Sequence, residues 1–211
     1  MKTNYDLIFQ DTIKNLSYKP KLLLHVCCGP CCSNVITENS QYFDITIYYS
    51  NSNIYPSEEY HRRYQELLDF IKAFNQKYDQ HIQVFEDPYE PDAYLEKLKP
   101  FASCKEGQER CYLCYGLRMH KAHQFALEGN YDYWTTVLSV SPHKNSQWIN
   151  EIGSKYHDQH LQFLYADFKK RDGYKKSVQT AASYGLYRQN YCGCIYSYED
   201  MLEREKTKLE K

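Results

Sequence analysis

The segment KLLLHVCCGPCC, residues Lys21–Cys32, decides the fold of this sequence. Its first half, Lys21–Val26, is a short aliphatic run that predicts a buried β-strand. Four cysteines follow this strand directly, with Gly29 and Pro30 between them. Glycine permits a tight bend, and proline suits the first turn of a helix. The segment therefore predicts a strand that passes through a cysteine-rich turn into a helix.

Further strands and helices alternate along the rest of the chain. Short runs of aliphatic, β-branched and aromatic residues predict four more strands, at Asp44–Tyr49, His81–Phe85, Tyr133–Leu138 and Leu161–Tyr165. Apolar residues three and four positions apart predict helices in the intervening segments, beginning at a Ser57 cap and at Gln108–Leu127, Asn145–Tyr156 and Tyr174–Tyr184. This alternation predicts the α/β class, with a single-domain three-layer α/β/α architecture around a mainly parallel, Rossmann-like sheet.

The chain shows no repeat, low-complexity tract or Pro/Gly/Ser-rich linker. We therefore expect one catalytic domain over residues 1–211, with a charged C-terminal helix at about 198–209. The net charge of −1 is unlike that of a strongly basic nucleic-acid-binding protein. The sequence has neither an apolar run long enough to span a bilayer nor the apolar core of a signal peptide. We therefore expect a cytoplasmic protein that does not associate with a membrane.

The nine cysteines fall into three groups. Four lie in Cys27–Cys32, three in Cys104–Cys114, and two in Cys192-Gly193-Cys194. An odd number of cysteines in a reducing compartment argues against a disulfide framework. Clustered cysteines in such a compartment are more often metal ligands or redox groups, so the grouping predicts one of these two chemistries.

The first two groups offer pairs of thiols. Cys27 with Cys28, and Cys111 with Cys114, provide the four ligands of either a tetrahedral zinc site or a [4Fe–4S] cluster. The spacing leaves both open, although the surplus of cysteines favours redox chemistry. Cys31 also forms a C-x-x-C pair with Cys28, which keeps a thioredoxin-like dithiol as an alternative.

The third group, Cys192-Gly193-Cys194, is read in two ways. A sharp bend at Gly193 would bring the thiols to disulfide distance, and a disulfide in so small a ring would be strained and easily reduced. Such a pair suits the storage of two electrons. A second metal-binding pair is the competing interpretation.

Five short segments complete the pattern: LLHVCCGP (Leu23–Pro30), IYPSEEY (Ile54–Tyr60), SPHKN (Ser141–Asn145), DFKKRDGY (Asp167–Tyr174) and LYRQNYCGC (Leu186–Cys194). Together they closely resemble the QueH family, the cobalamin-independent epoxyqueuosine reductases. The resemblance implies an oxidoreductase that converts the epoxide of epoxyqueuosine, at the wobble position of tRNA, to the alkene of queuosine, the last step of queuosine biosynthesis. It also implies a fold similar to nucleotide-binding domains of the nucleotide-hydrolase or HUP type.

The same resemblance implies a cofactor and its ligands. A [4Fe–4S] cluster is expected on four cysteines, Cys27, Cys28, Cys111 and Cys114. The family has been linked to a second metal ion beside the cluster, and we take this ion to be iron. Cys31 is its candidate ligand here, by its position in the turn after the first strand.

The resemblance further implies catalytic and substrate-binding residues. Cys192 and Cys194 are expected to form a redox-active pair that a cellular electron donor, not identified by the sequence, reduces again. His143, Lys144 and Arg188 lie in the matching segments and are candidates for contacts with the substrate or with tRNA phosphates.

Several alternatives and simpler interpretations remain. A tRNA sulfurtransferase would also combine an α/β fold with an iron–sulfur cluster, but no S-G-G-x-D motif follows the first strand. A zinc-stabilised nucleic-acid-binding module and a metal-free thiol–disulfide oxidoreductase are the other two alternatives. His25 is predicted to be a hydrogen-bonded core residue, Asp167 a solvated turn residue, and the basic run Lys169–Lys176 a solvated helix start.

Overall fold

The computed structural model describes residues 3–156 and 158–209, and it contains a five-stranded sheet. The strands are β1 Lys21–His25, β2 Asp44–Tyr49, β3 Gln83–Glu86, β4 Tyr133–Thr136 and β5 Gln162–Phe163. They lie in the order β3-β2-β1-β4-β5, and every neighbouring pair is parallel. The predicted α/β class and parallel sheet are therefore confirmed.

Helices surround this sheet. They are α1 Tyr5–Lys14, α2 Gly29–Asn39, α3 Ser57–Tyr78, α4 Pro91–Leu98, α5 Glu109–Glu128, α6 Ser146–Gly153, α7 Gly173–Ser183 and α8 Ile195–Leu209. Helix α2 packs against α3 and α7, whereas α5 packs against α6, β1 and β4. This arrangement is the predicted three-layer architecture. Within the residues described, no helix combines the length and the apolar character needed to cross a bilayer.

The element boundaries differ from the predictions at several places. Helices α1 and α4 were not predicted, and α8 begins at Ile195 rather than near residue 198. The strand predicted at Tyr133–Leu138 ends at Thr136, because Val137–Val140 forms a 3₁₀ helix. The Thr136 hydroxyl caps this helix by accepting a hydrogen bond from the Leu138 N–H. Pro56, not Ser57, occupies the N-cap of α3.

The centre of the sheet is strand β1, whose side chains from Leu22 to His25 are buried on both faces. The ring of His25 is fully buried; its Nδ1 lies 2.7 Å from the Thr136 hydroxyl, and its Nε2 lies 3.1 Å from the Ser50 carbonyl oxygen. Burial lowers the pKa of His25 to about 3, so the ring is neutral near pH 7. The prediction of a hydrogen-bonded core histidine is confirmed.

The order of the strands fixes where a ligand can bind. The chain moves from β1 outward to β3 on one side and then returns to place β4 and β5 on the other side. Open α/β sheets bind ligands at such a switch point, beyond the carboxyl ends of the strands. Here Cys27 and Cys28 follow β1, and the turn Val137–Val140 follows β4, so both segments face this crevice.

Candidate metal and redox site

The first cysteine group lies where β1 leads into α2. Cys28 occupies the N-cap of α2, and Pro30 lies in its first turn. The Sγ atoms of Cys27 and Cys28 are 3.8 Å apart, and those of Cys28 and Cys31 are 2.7 Å apart. All three lie within 4.8 Å of one another, the only such group of three or more possible ligands among residues 3–156 and 158–209. These three thiols can bind a metal ion.

The electrostatics of this group favour one thiolate. Hydrogen bonds from Cys28 and Cys31 lower the pKa of the Cys27 thiol, whereas burial raises the pKa of Cys28 to about 12. The remaining cysteine of the turn, Cys32, is fully buried and donates to the Gly29 carbonyl oxygen at 3.2 Å. Burial also raises its pKa, and its Sγ does not belong to the compact group of three, so Cys32 is a packed core thiol.

The second cysteine group occupies the start of α5. Cys111 Sγ accepts a hydrogen bond from the Gly107 N–H at 3.2 Å, and Cys114 Sγ accepts one from the Tyr94 hydroxyl at 3.2 Å. Neither thiol joins the compact group around Cys28. Iron and sulfide separate the cysteines of a [4Fe–4S] cluster, so its ligands stand farther apart than ligands of one ion. Cys104, the remaining cysteine of the second group, precedes α5, and its Sγ lies 3.7 Å from Glu109 Oε2.

Two cations connect the distant cysteine groups. Arg118 is buried, and although burial opposes its charged form, the charges of Cys114 and Cys27 raise its pKa above the usual range. Lys144, in the loop after β4, behaves similarly: burial opposes its ammonium form, but Cys192 and Cys27 raise its pKa. Each of these cations therefore interacts electrostatically with cysteines from two of the three groups.

The third group, which we call the redox loop (Cys192–Cys194), precedes α8. Gly193 has a φ of +132°, a region that favours glycine. The Arg63 guanidinium donates to the Cys192 carbonyl oxygen at 3.2 Å, and the Tyr55 N–H donates to the Gly193 carbonyl oxygen at 2.7 Å. Both cysteines are free thiols here, and burial raises the pKa of Cys194 to about 11. The backbone of the loop is thus held from two directions.

A cleft of about 240 Å³ opens beside these thiols. Its lining includes three cysteines and all three candidate substrate-binding residues: Cys27, Cys31, Cys192, His143, Lys144 and Arg188. His143 and Arg188 are exposed, and Arg188 donates to the Tyr174 hydroxyl at 3.4 Å. Cys28, Cys111 and Cys114 do not line the cleft. At the end of the loop after β4, the Asn145 side chain caps α6 by accepting hydrogen bonds from the N–H groups of Gln147 and Trp148.

The sequence did not indicate several residues around the thiols. Gln189 donates from its Nε2 to Cys28 Sγ at 3.3 Å, and its buried Oε1 has no hydrogen-bond partner. Its place in the segment LYRQNYCGC was the one available signal. Arg63 on α3 and Tyr94 on α4 carried no signal, because each lies far along the chain from the cysteine that it contacts. Arg118 lies one turn after Cys114 on α5, but nothing in the sequence distinguished it from the other cations of that helix.

One simpler prediction about the segment after β5 is wrong, and another is confirmed. Asp167 is buried, not solvated, and accepts hydrogen bonds from Ser146 and Lys169, each at 3.0 Å. The basic run leads into α7 with most of its side chains exposed, as predicted for a solvated helix start. Within it, Arg171 pairs with an acid of α1 at 3.2 Å and Lys176 with an acid of α2 at 2.7 Å. These ion pairs tie the segment to neighbouring helices.

Comparisons with known proteins find one family. The family described as Epoxyqueuosine reductase QueH matches residues 22–200. A Streptococcus pyogenes serotype M1 protein of that name is 40% identical over 200 residues, which cover 93% of this chain and 78% of that protein. A Staphylococcus aureus protein of the same name is 39% identical over 204 residues, with 93% and 84% covered. One from Thermotoga maritima is 29% identical over 193 residues, with 90% and 94% covered.

Proposed function

The chain belongs to the epoxyqueuosine reductase QueH family, and on this basis we propose that it reduces the epoxide of epoxyqueuosine in tRNA to the alkene of queuosine. It is accordingly an oxidoreductase, and we propose that residues 1–211 form one catalytic domain. One observation carries this proposal: the cleft at the switch point of the sheet combines redox-capable thiols with His143, Lys144 and Arg188.

We propose that the enzyme carries a [4Fe–4S] cluster on Cys27, Cys28, Cys111 and Cys114. The chemistry of these donors supports the assignment, because thiolates are the usual ligands of iron–sulfur clusters. Three of the four sulfurs accept hydrogen bonds from groups other than cysteine, namely Gln189, Gly107 and Tyr94. Such bonds, together with the nearby cations Arg118 and Lys144, stabilise the negative charge of a thiolate-bound cluster.

Cys31 is proposed as a ligand of the second metal ion, an iron. Its thiol lies beside those of Cys27 and Cys28, and it lines the cleft, whereas Cys28 does not. When bound, the cluster supplies single electrons and the second metal acts as a Lewis acid on the epoxide oxygen. Cys31 therefore holds the position from which a ligated ion would face a substrate in the cleft.

The redox loop supplies the remaining part of the reaction. Conversion of the epoxide to the alkene consumes two electrons and two protons and releases the oxygen as water. Oxidation of the Cys192 and Cys194 thiols to a disulfide yields two electrons and two protons, so the two changes balance. Cys192 faces the substrate because it lines the cleft. An external electron donor must then reduce the disulfide before the next turnover.

The cleft also provides groups for the nucleic acid. His143, Lys144 and Arg188 bring donor and cationic side chains to its rim and wall, and we propose that they contact the substrate base or the phosphates of the anticodon loop. Tyr174 lines the same cleft and is exposed, so a base can stack on its ring. The comparisons do not favour a tRNA sulfurtransferase or a zinc-stabilised module.

The double variant Cys192→Ser/Cys194→Ser tests the role of the redox loop. Anaerobically reconstituted protein should retain its iron and sulfide but lose the conversion of epoxyqueuosine to queuosine, measured by mass spectrometry of nucleosides from the treated tRNA. Cys104→Ser is the matched control and should keep both properties, because Cys104 lies outside the cleft. Full turnover by the double variant would exclude the redox loop from the reaction.

A further inference from the structure

The two thiols of the redox loop open into different cavities. Cys192 lines the cleft of about 240 Å³, whereas Cys194 lines a second cavity of about 100 Å³. Neither thiol contributes to the lining of the other cavity. The contacts from Arg63 and Tyr55 hold the loop between the two spaces. The loop therefore separates a substrate side from a second side that the proposed reaction does not use.

The chemistry of the second cavity restricts what can enter it. Its walls are mainly apolar, with Ile54, Leu95 and Leu98 among them. Its one charged lining residue is the exposed Asp92, whose carboxylate would repel an anionic reductant. Asn53 also lines it; this side chain is 8% exposed, and its Oδ1 has no hydrogen-bond partner. A buried acceptor without a partner indicates a ligand that brings a hydrogen-bond donor. The cavity thus suits a small uncharged molecule with an O–H, N–H or S–H group.

We propose that this second cavity admits a small neutral dithiol, which reduces the Cys192–Cys194 disulfide from the Cys194 side. The inference rests on the proposed function, because it needs the disulfide that epoxide reduction would produce. It adds a binding site and a chemical class for the electron donor. A donor that uses this route reaches Cys194 without entering the cleft that holds the tRNA.

The exchange can be written with all atoms and electrons assigned. One thiolate of the dithiol attacks Cys194 Sγ, the Cys194–Cys192 bond breaks, and Cys192 leaves as a thiolate towards the cleft. Lys144, which lines the same cleft, lies on the side where this negative charge develops. The second thiol of the donor then attacks the donor sulfur that is bonded to Cys194 Sγ, and Cys194 leaves. The donor becomes a cyclic disulfide, and its two protons are transferred to Cys192 and Cys194.

The variant Leu95→Trp tests the route because it fills the second cavity from α4. Oxidised protein is mixed anaerobically with dithiothreitol, quenched with acid, alkylated and analysed by mass spectrometry for free Cys192 and Cys194. We expect the second-order rate constant to fall about tenfold, equivalent to about 1.4 kcal/mol in the barrier. Leu7→Trp, on the exposed face of α1 and outside both cavities, should leave the rate unchanged.

Two further measurements make the test decisive. Pre-reduced Leu95→Trp protein should convert epoxyqueuosine in a single turnover at the wild-type rate, which also shows that it is folded. Saturating tRNA should not slow the reduction of the wild-type disulfide by dithiothreitol. Equal rates for Leu95→Trp and the wild type, or strong inhibition by tRNA, would overturn the route.

The remaining outcomes separate this inference from the proposed function. Slower reduction in Leu95→Trp without any activity on tRNA would support the dithiol site and contradict the proposed function. Failure of Cys192 and Cys194 to form a disulfide under mild oxidation would overturn this route and the proposed role of the redox loop, but not the reduction of the epoxide itself. Reduction by a Cys-x-x-Cys protein but not by dithiothreitol would overturn the assignment to a small dithiol.

Discussion

Replacing Arg63 with methionine removes the charged group that holds the redox loop in place. Arg63 and Glu59 lie one turn apart on α3, with Nε and Oε1 separated by 2.7 Å. Their side chains are only 2% and 9% exposed, so the ion pair is shielded from water. The same guanidinium donates to the Cys192 carbonyl oxygen. Methionine keeps an apolar stem of similar length, but it leaves Glu59 Oε1 and the Cys192 carbonyl oxygen without the guanidinium donor.

The expected loss of stability follows from these contacts. Removing one partner of a buried ion pair costs about 3–5 kcal/mol, because the other charge stays buried. A hydrogen bond from a charged donor contributes about 1.5–3 kcal/mol. Energies within one network are not additive, so we expect the free energy of unfolding of Arg63→Met to fall by about 4 kcal/mol rather than by the sum.

Equilibrium urea unfolding of anaerobically purified protein, followed by far-ultraviolet circular dichroism, measures this loss. Glu59→Met is the matched single variant, and Arg63→Met/Glu59→Met completes a double-mutant cycle. The double variant should lose less than the sum of the two single losses, by at least about 1 kcal/mol, because no charge is left buried alone. A loss below about 1 kcal/mol for Arg63→Met, or strictly additive losses, would refute the buried ion pair as the anchor.

Three further predictions concern the backbone, the nucleic acid and the cluster. Gly173→Ala should lower the free energy of unfolding by about 1–3 kcal/mol, because a Cβ there would collide with the Phe168 carbonyl oxygen. Gly116→Ala is the control: its Cβ would meet open space, so this variant should raise the free energy of unfolding by about 0.5–1 kcal/mol. Urea unfolding measures both changes. Arg188→Met should weaken tRNA binding and reduce the slope of log K against log salt by about 0.7, and an unchanged slope would exclude a phosphate contact. Gln189→Leu removes an N–H···S bond and should lower the cluster reduction potential in a redox titration at unchanged iron content; an unchanged potential would contradict that contact.

The sequence predicted the sheet well because its strands carry strong local signals. The aliphatic run of β1 leaves little choice of structure, and the apolar residues three and four positions apart in the intervening segments mark the helices between the strands. Helix α1 was not predicted, and in the structure it buries only Phe9 among its side chains. Helix α4 was not predicted either, although it starts at Pro91, a residue that suits the first turn of a helix.

The candidate site could be predicted only as far as its motifs extend. The cysteines and the segments SPHKN and LYRQNYCGC drew attention to residues that line one cleft. The contact between Arg63 and Cys192 joins residues 129 positions apart, and neither neighbourhood has a pattern that reports the other. The burial of Asp167 is likewise set by Ser146 and Lys169, which only the folded chain brings to it.

The location of iron tests the central claim most directly. Crystals of anaerobically reconstituted protein should be measured at the iron absorption edge, and the anomalous difference density should be located relative to the cysteine Sγ atoms. We expect a multi-iron peak bounded by Cys27, Cys28, Cys111 and Cys114, with the redox loop beside it. A single peak confined to Cys27, Cys28 and Cys31, with Cys111 and Cys114 unligated, would exclude a four-cysteine cluster at this site.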